Sequence, residues 1–363
     1  MGRALELAGR GAGLTSPNPV VGAVVVESGR AVGEGFHSRA GAPHAEVEAL
    51  GRAGAAARGA TLYVTLEPCN HTGRTAPCVE AIRAAGLARV VVATLDPNPR
   101  VTGGGAAALA RAGVDVALGC REAEARALNR AFLTLARTGR PHVTLKWAAT
   151  LDGATADPSR ASRWITGPEA RVEAHRLRSR ADAVVVGIGT ALADDPALDV
   201  RVGASWPREP YRVVVDSLAR LPATARLIGA GRPARAIVAV TDAAEPERLG
   251  RLEERGVTIL RCKAHEGRVD PGDLVSRLGA LDVTAILVEG GGTLAWAFLE
   301  AGLADRLVTF TAPMLIGGAR APRGLGGPGF ALPEAIRLEG LAVRPVGADW
   351  MMEADIAPPG GTR

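Results

Sequence analysis

The sequence predicts two α/β domains in succession, and three observations carry that expectation. Short apolar runs of strand length alternate with helical stretches in both halves of the chain. Between the halves, Gly139-Arg140-Pro141 punctuates the chain and a fresh apolar run begins at His142. The 363 residues are too many for one typical domain and comfortable for two. We therefore expect a first domain over residues 1–140 and a second over 141–363.

In the first half, strands are expected at 20–26, 61–66 and 90–93, with helices at 45–58, 79–85, 106–112 and 122–137 and a helix-like start at 4–9. In the second half, strands are expected at 142–147, 183–186, 212–215, 236–240, 257–260 and 285–288. One helix should run over 168–178, because Pro168 follows Thr166-Gly167 and suits a first helical position. Another covers 294–301, and the Gly- and Pro-rich stretch 317–333 reads as a long loop. No repeat of fixed period is visible.

Composition excludes several function classes. No apolar run approaches the roughly 18 residues of a membrane span, and the start, Met1-Gly2-Arg3-Ala4-Leu5-Glu6, lacks the apolar core of an export signal. Four cysteines in a chain this long do not make a disulfide framework, and two of them sit in Pro-Cys pairs, which suits a reducing cytoplasm. Cys120 and Cys262 read as plain buried thiols. The net charge of +5 comes almost wholly from arginine, since Lys146 and Lys263 are the lysines. Aromatic residues are 3% of the chain and do not interleave with basic runs, so no nucleic-acid partner is expected. Phosphorylated small molecules account for scattered arginines equally well.

His44-Ala45-Glu46 is followed by Pro68-Cys69 and, after a loop, by Pro77-Cys78. One imidazole, two thiolates and one carboxylate so spaced form the donor set of a catalytic zinc site. Three protein ligands leave a fourth position for water, and the unligated carboxylate shuttles that water's protons. His44, Cys69 and Cys78 are thus the expected metal ligands and Glu46 the expected acid–base group. Cys78 also opens a helical pattern, where unpaired N–H groups and the helix dipole favour a thiolate. Sites of this kind replace an amino group on a nucleobase-like ring by oxygen. Two blander readings stand beside this one: buried thiols with a surface histidine, and a structural zinc site. The structural site would need a fourth ligand, for which His71 is the candidate, and would have no use for Glu46. Otherwise His71 and Arg74 line a substrate cavity from the loop between the cysteines.

Eight residues separate the two cysteines, not the pair of a Cys-x-x-Cys deaminase motif. The segment from Thr65 to Cys78, Thr-Leu-Glu-Pro-Cys-Asn-His-Thr-Gly-Arg-Thr-Ala-Pro-Cys, closely resembles the deaminase domain of the bifunctional riboflavin-biosynthesis deaminase–reductases. Pro17-Asn18-Pro19-Val20-Val21-Gly22, Gly33-Glu34-Gly35-Phe36-His37 and Asp96-Pro97-Asn98-Pro99 are similar to other landmarks of that family. The resemblance implies a cytidine-deaminase-like α/β/α layered domain. It also implies a substrate, a 2,5-diamino-6-ribosylamino-pyrimidinone 5′-phosphate that loses its 2-amino group as ammonia. By the same implication Asn18 and His37 contact the ring or ribose and Arg74 the phosphate, for which a guanidinium fork is apt. Asn18 also reads as a turn residue between prolines, and His37 as a solvated strand end.

From Leu145 to about Ile356 the chain resembles the reductase half of the same family, a relative of the dihydrofolate reductase fold. The matching stretches are 145–153, Ser162-Arg163-Trp164-Ile165-Thr166-Gly167, 189–198 and Val288-Glu289-Gly290-Gly291-Gly292-Thr293-Leu294. Read physically, the last is a strand end, a glycine-rich turn and a helix start, where bare backbone can donate N–H groups to a phosphate. It is not a G-x-G-x-x-G fingerprint, which excludes a Rossmann domain; alone, it is also simply a tight turn. With the resemblance, Gly290, Gly291, Gly292, Thr293 and Leu294 become a dinucleotide phosphate site, and NADPH the implied donor.

Lys146 stands out in a chain that otherwise uses arginine. A compact ammonium fits beside a sugar hydroxyl or an imine nitrogen where a guanidinium does not, and its bland reading is a snorkelling surface lysine. We expect Lys146 to orient the ring-opened ribose while hydride reaches C1′. By resemblance, Ser162, Arg178, Leu198, Arg201 and Glu289 hold the substrate, and Ala148, Trp164, Thr190, Asp194 and Ser217 line the cofactor site. Arg178 and Arg201 suit phosphate clamps, or else are solvated charges; Asp194 alternatively caps a turn.

Two departures from the family pattern are Arg160-Ala161-Ser162, of which only Ser162 carries over, and the abrupt start before the 4–9 helix, as a misassigned first residue would produce. Two competing expectations remain: a nucleobase deaminase with an inactive second domain, and a non-enzymatic nucleotide sensor with structural zinc. A homo-oligomer is expected from the family.

Overall fold

The computed structural model describes residues 1–71, 76–98, 104–203, 206–230 and 235–357. The chain divides into two compact units, Met1–Arg140 and Pro141–Arg363.

The first unit is a five-stranded sheet between helical layers. Its strands are β1 (Gly22–Glu27), β2 (Arg30–Phe36), β3 (Thr61–Val64), β4 (Arg89–Val92) and β5 (Asp115–Leu118), in the order β2-β1-β3-β4-β5. β1 is antiparallel to both β2 and β3, and β3, β4 and β5 are parallel. Its helices are α1 (Gly2–Gly9), α2 (Ala45–Ala53), α3 (Cys78–Ala84), α4 (Gly105–Arg111), α5 (Glu122–Leu128) and α6 (Arg130–Thr138). The period of two along β1 sorts the layers. Ala23 and Val25 pack with Ala45, Ala49, Val79, Ile82 and Leu109 of α2, α3 and α4, while Val24 turns to Ala4 and Leu7 of α1.

α2 sits directly on β2 because Gly33 and Gly35 have no side chains. A Cβ at Gly33 would lie 2.2 Å from the Ala49 carbonyl oxygen, and one at Gly35 2.3 Å from that of Ala45. β2 is invisible to a hydrophobic pattern for the same reason: its inward positions are glycines. Two expected helices are shorter than their patterns. The one at 45–58 tightens into a 3-10 turn over Gly54–Ala57, with Gly54 at φ 53°. The one at 122–137 breaks at Asn129, whose buried side-chain amide accepts from the Val20 N–H (2.8 Å) and donates to the Val20 carbonyl (2.9 Å). It thereby closes both backbone groups of a loop residue, as a strand neighbour would.

The second unit is a nine-stranded sheet with a separate two-stranded ribbon. Its strands are β6 (His142–Thr150), β7 (Ala183–Gly187), β8 (Tyr211–Val215), β9 (Ala236–Val240), β10 (Thr258–Arg261), β11 (Ala264–His265), β12 (Arg268–Val269), β13 (Ala285–Glu289), β14 (Arg306–Ala312), β15 (Leu338–Val346) and β16 (Asp349–Ile356). The large sheet runs β10-β9-β8-β7-β13-β6-β14-β16-β15. It is parallel from β10 through β14 and antiparallel across β14, β16 and β15.

Its helices are α7 (Pro168–Arg180), α8 (Ile188–Asp194), α9 (Arg226–Gly229), α10 (Pro246–Glu253), α11 (Pro271–Gly279) and α12 (Gly292–Glu300). The central strands are buried on both faces, which is why they read as unbroken apolar runs. Val185, Val213, Ile237 and Ile286 meet α11 and α12, whereas Val184, Val186, Val214 and Val238 meet α8, α9 and α10. The antiparallel edge was not expected. One face of β14 and β16 is covered by Val308, Phe310, Met351 and Ala170, and the other packs through Leu307 and Ile356 on the main core. β15 is exposed along most of its length, and mixed polar residues mask the strand signal.

β13 is inserted between β6 and β7, although both precede it by far in the chain. Such a switch in strand order opens a crevice beyond the strand ends. The glycine turn after β13 lies at that point, between Glu289 and the start of α12.

Candidate active sites

In the first unit, three side chains meet where α2 and α3 begin. His44 is the residue before α2, and Cys78 is the first residue of α3. The His44 Nδ1 atom lies 3.1 Å from Cys78 Sγ and 3.5 Å from Cys69 Sγ. The Cys78 backbone N–H donates to Cys69 Sγ at 3.3 Å, so the turn itself presents a donor to the sulfur. One ligand atom from each of His44, Cys69 and Cys78 lies within 4.8 Å of the others. One nitrogen and two sulfurs in this compass suit a tetrahedral zinc ion with one position left over. His71 is exposed and outside this group, which removes the candidate fourth ligand of a structural site.

Glu46 is buried in the first turn of α2 without being among those ligands. Burial pushes its carboxyl up to about 7, and the adjacent sulfur of Cys69 adds to the effect. The two thiols titrate as a pair. The hydrogen bond from Cys78 pulls Cys69 down to about 4, and Cys78, holding the shared proton, is pushed up. The hydrogen bond with Cys69 raises His44.

His37 is buried, so it is not the solvated strand end that the sequence also allowed. Its Nδ1 donates to the Pro43 carbonyl (3.1 Å), leaving Nε2 to accept from the Asn18 amide (3.1 Å). Its ring meets that of His44 edge-on at 5.6 Å. Asn18 is in a turn as well, its N–H donating to the Thr15 carbonyl. Arg74 lies outside the described residues.

Glu67 escaped the sequence reading. Its buried carboxylate accepts from Ala106 N (3.0 Å) in the first turn of α4 and from Asp96 N (3.1 Å) in the stretch after β4. An acid between Leu66 and Pro68 at a buried strand end was the available signal.

In the second unit, Lys146 and Glu289 are register partners on β6 and β13. β6 continues to Thr150, so Lys146 is within the strand and not at its end. It is partly buried, with Nζ 5.5 Å from the centre of the Phe310 ring, which disposes of the snorkelling reading. Burial lowers the Lys146 ammonium, against the pull of Glu289. Burial would raise Glu289, but the charges of Arg178 and Lys146 outweigh it and hold the carboxyl at about 2.

Arg178 donates from Nε to Glu289 Oε1 (2.8 Å), from Nη2 to Oε2 (2.7 Å) and from Nη1 to the Asp199 carbonyl (3.1 Å). Its fork is thus committed within the protein, which argues against the phosphate clamp and the solvated charge alike. Arg201 is 61% exposed and donates from Nε to Asp199 Oδ2 at 2.8 Å. The Leu198 side chain belongs to the apolar core.

Ser162 Oγ donates to Asp194 Oδ1 at 2.9 Å, so the Asp194 carboxylate anchors the 162 loop; the next residue, Asp195, ends α8 and accepts from Arg226 N. Trp164 is exposed beneath the Arg171 guanidinium, 4.5 Å from its ring centre. Ser217 Oγ accepts from Val269 N (3.1 Å), and Ala148 is paired with Phe310.

Gly290 and Gly291 have φ of 67° and 79°, and a Cβ at Gly291 would be 3.1 Å from Thr190 Oγ1. That narrow, side-chain-free turn ahead of α12 fits a dinucleotide phosphate. Gly292 is different: a Cβ there would strike the Arg323 carbonyl at 2.6 Å, so its lack of a side chain serves packing. Thr293 and Leu294 open α12, with Leu294 packed on the core.

Residues 1–94 match the cytidine and deoxycytidylate deaminase zinc-binding region, and residues 141–352 match the RibD C-terminal domain. The riboflavin biosynthesis protein RibD of Escherichia coli is 46% identical over 87% of this chain and 88% of its own length. The chain belongs to the RibD family. Among solved RibD structures, that of Acinetobacter baumannii is 39% identical, with a TM-score of 0.86 over 98% of this chain and 97% of that one. A diaminohydroxyphosphoribosylaminopyrimidine deaminase/5-amino-6-(5-phosphoribosylamino)uracil reductase from Thermotoga maritima is 35% identical, with a TM-score of 0.83 over the same shares. Membership of the RibD family makes the chain a bifunctional enzyme of riboflavin biosynthesis, with a zinc-binding deaminase region ahead of a reductase region. The two α/β units accord with that order. No helix among the described residues is long and apolar enough to cross a membrane.

Proposed function

We propose that residues 1–140 deaminate 2,5-diamino-6-ribosylamino-4(3H)-pyrimidinone 5′-phosphate, and that residues 141–363 reduce the product to 5-amino-6-(5-phosphoribitylamino)uracil. The observation that carries this reading is the meeting of His44, Cys69 and Cys78 beside a buried carboxyl that is not one of the ligands. His44, Cys69 and Cys78 would hold zinc, which would supply the Lewis acidity that makes water a nucleophile near neutral pH. Glu46 takes the proton of the attacking water and passes it to the departing 2-amino group, which leaves as ammonia. Buried and close to neutral pKa, its carboxyl exchanges a proton readily in both directions. Asn18 and His37, already hydrogen-bonded to each other, hold the pyrimidine or ribose, and Arg74 the phosphate.

For the second step, NADPH when bound would supply the hydride that reduces C1′ of the ring-opened sugar. Gly290, Gly291, Gly292, Thr293 and Leu294 would hold its phosphates, with Ala148, Trp164, Thr190, Asp194 and Ser217 along its length. Lys146 donates to a sugar hydroxyl or the imine nitrogen. Glu289, held ionised, accepts from the substrate, and Ser162, Leu198, Arg201 and, through Glu289, Arg178 complete the pocket.

The enzyme works in the cytoplasm, for which four free cysteines speak, as a homo-oligomer without nucleic-acid or membrane partners. The decisive experiment supplies purified protein with the pyrimidine phosphate, with and without NADPH, and follows ammonia and the nicotinamide absorbance. Ammonia should appear in both cases and NADPH should be consumed only after it. Consumption of NADPH without prior ammonia release would overturn the order.

A further inference from the structure

His175 and Arg178 lie three residues apart on α7 and so share a face. Both reach the main chain of the loop that carries Leu198 and Arg201. Arg178 Nη1 donates to the Asp199 carbonyl, and the Arg201 backbone N–H donates to His175 Nδ1 at 3.2 Å. The imidazole therefore accepts at the loop residue whose side chain is 61% exposed.

An accepting Nδ1 requires the neutral ring with its proton on Nε2. A protonated ring has no lone pair there and would repel the amide it now holds. It would also set a further positive charge beside Arg178 and Arg201, against Asp199 and Glu289, which are the charged groups that face it. Burial first, and then Arg178, keep the ring on the neutral side.

We infer that neutral His175 is a positioning residue that sets Arg201 to receive the phosphate end of the reductase substrate, and that its protonation releases Arg201. This rests on the reading above that Arg201 holds substrate.

The test is steady-state reduction of the deaminated intermediate by the full-length protein at about pH 7.5 and at about pH 5, the latter chosen well below an ordinary imidazole pKa because burial lowers that of His175. His175→Leu should raise KM about five- to tenfold, as for one lost hydrogen bond, with kcat little changed and NADPH binding intact. His175→Asn, whose Oδ1 can stand where Nδ1 stands, should restore KM at the higher pH. It should also abolish the rise in KM that the wild type shows at the lower pH. Arg201→Gln should raise KM at both.

Wild-type KM in His175→Leu alongside a raised KM in Arg201→Gln overturns the inference and leaves the site reading intact. Unchanged KM in Arg201→Gln overturns the site reading first. An undiminished acid rise in His175→Asn overturns the protonation step, and this variant decides even if His175→Leu folds poorly.

Discussion

Glu46 and Glu289 are both buried carboxyl groups at the edge of a regular element, yet their surroundings drive them in opposite directions. Burial, with the Cys69 sulfur adding to it, lifts the Glu46 carboxyl to about 7 against a smaller opposing pull from His44. Glu289 is gripped by Arg178 and faced by Lys146, and it is held at about 2. The first arrangement suits a group that must trade protons; the second suits one that must stay charged. The difference extends to how each site relates to its fold. α2 is fixed by the close approach of Gly33 and Gly35 and by alanines beneath it, so Glu46 can do chemistry without holding the unit together. The Arg178–Glu289 pair ties α7 to β13, so the same atoms serve the pocket and the fold.

The largest expected effect breaks chemistry without touching stability. Glu46→Gln should lower ammonia release about 1,000-fold or more. Zinc content, thermal midpoint and reduction of supplied intermediate should stay as in the wild type. Deamination at the wild-type rate would remove Glu46 from its role and erase the contrast with Glu289.

In the second unit no such separation is expected. Arg178→Met leaves the Glu289 charge buried without its fork, a loss of about 3–5 kcal/mol. The side chains are only 16% and 9% exposed, so solvent screens little of it. Calorimetry should show the second unit melting several degrees lower with ammonia release preserved. An unchanged midpoint would mean that the pair is a surface-like contact, and the two regions would then be alike.

How much was legible follows the same division. Zinc chemistry needs a few donor atoms at set intervals, so His44, Glu46, Cys69 and Cys78 could be read directly from spacing. The buried parallel strands were legible because they are apolar on both faces. β2 was not, since glycines stand where apolar residues would signal a strand. The second site joins β6, α7, the 198–201 loop and β13, and only folding brings Lys146, Arg178 and Glu289 together. Arg178 accordingly looked like a phosphate ligand until its partner was visible. Glu67 and His175 accept from backbone N–H groups of residues distant in the chain, and those partners come into view only with the fold.

Lys146→Met offers a subtler break. It removes the ammonium expected to orient the sugar, and NADPH oxidation should fall about 100-fold while ammonia release continues. Loss of deamination instead would show that the two activities do not divide between the units.

The smallest expected effect lies on the acid side. In the folded chain Glu289 titrates at about 2, below the 4.5 of a free carboxyl, so folding favours its ionised form. That stabilisation is complete above the unfolded pKa and is lost as pH falls toward the folded one. Between about pH 5 and about pH 3 the loss should amount to about 2 kcal/mol. Arg178 stays charged throughout this window. Melting of the second unit should therefore decline more steeply with acid in the wild type than in Glu289→Gln, which has no carboxyl to protonate there. The gap between the two midpoints should narrow as pH falls. Parallel curves would mean that Glu289 is as easily protonated as any exposed glutamate, and its difference from Glu46 would then be one of position alone.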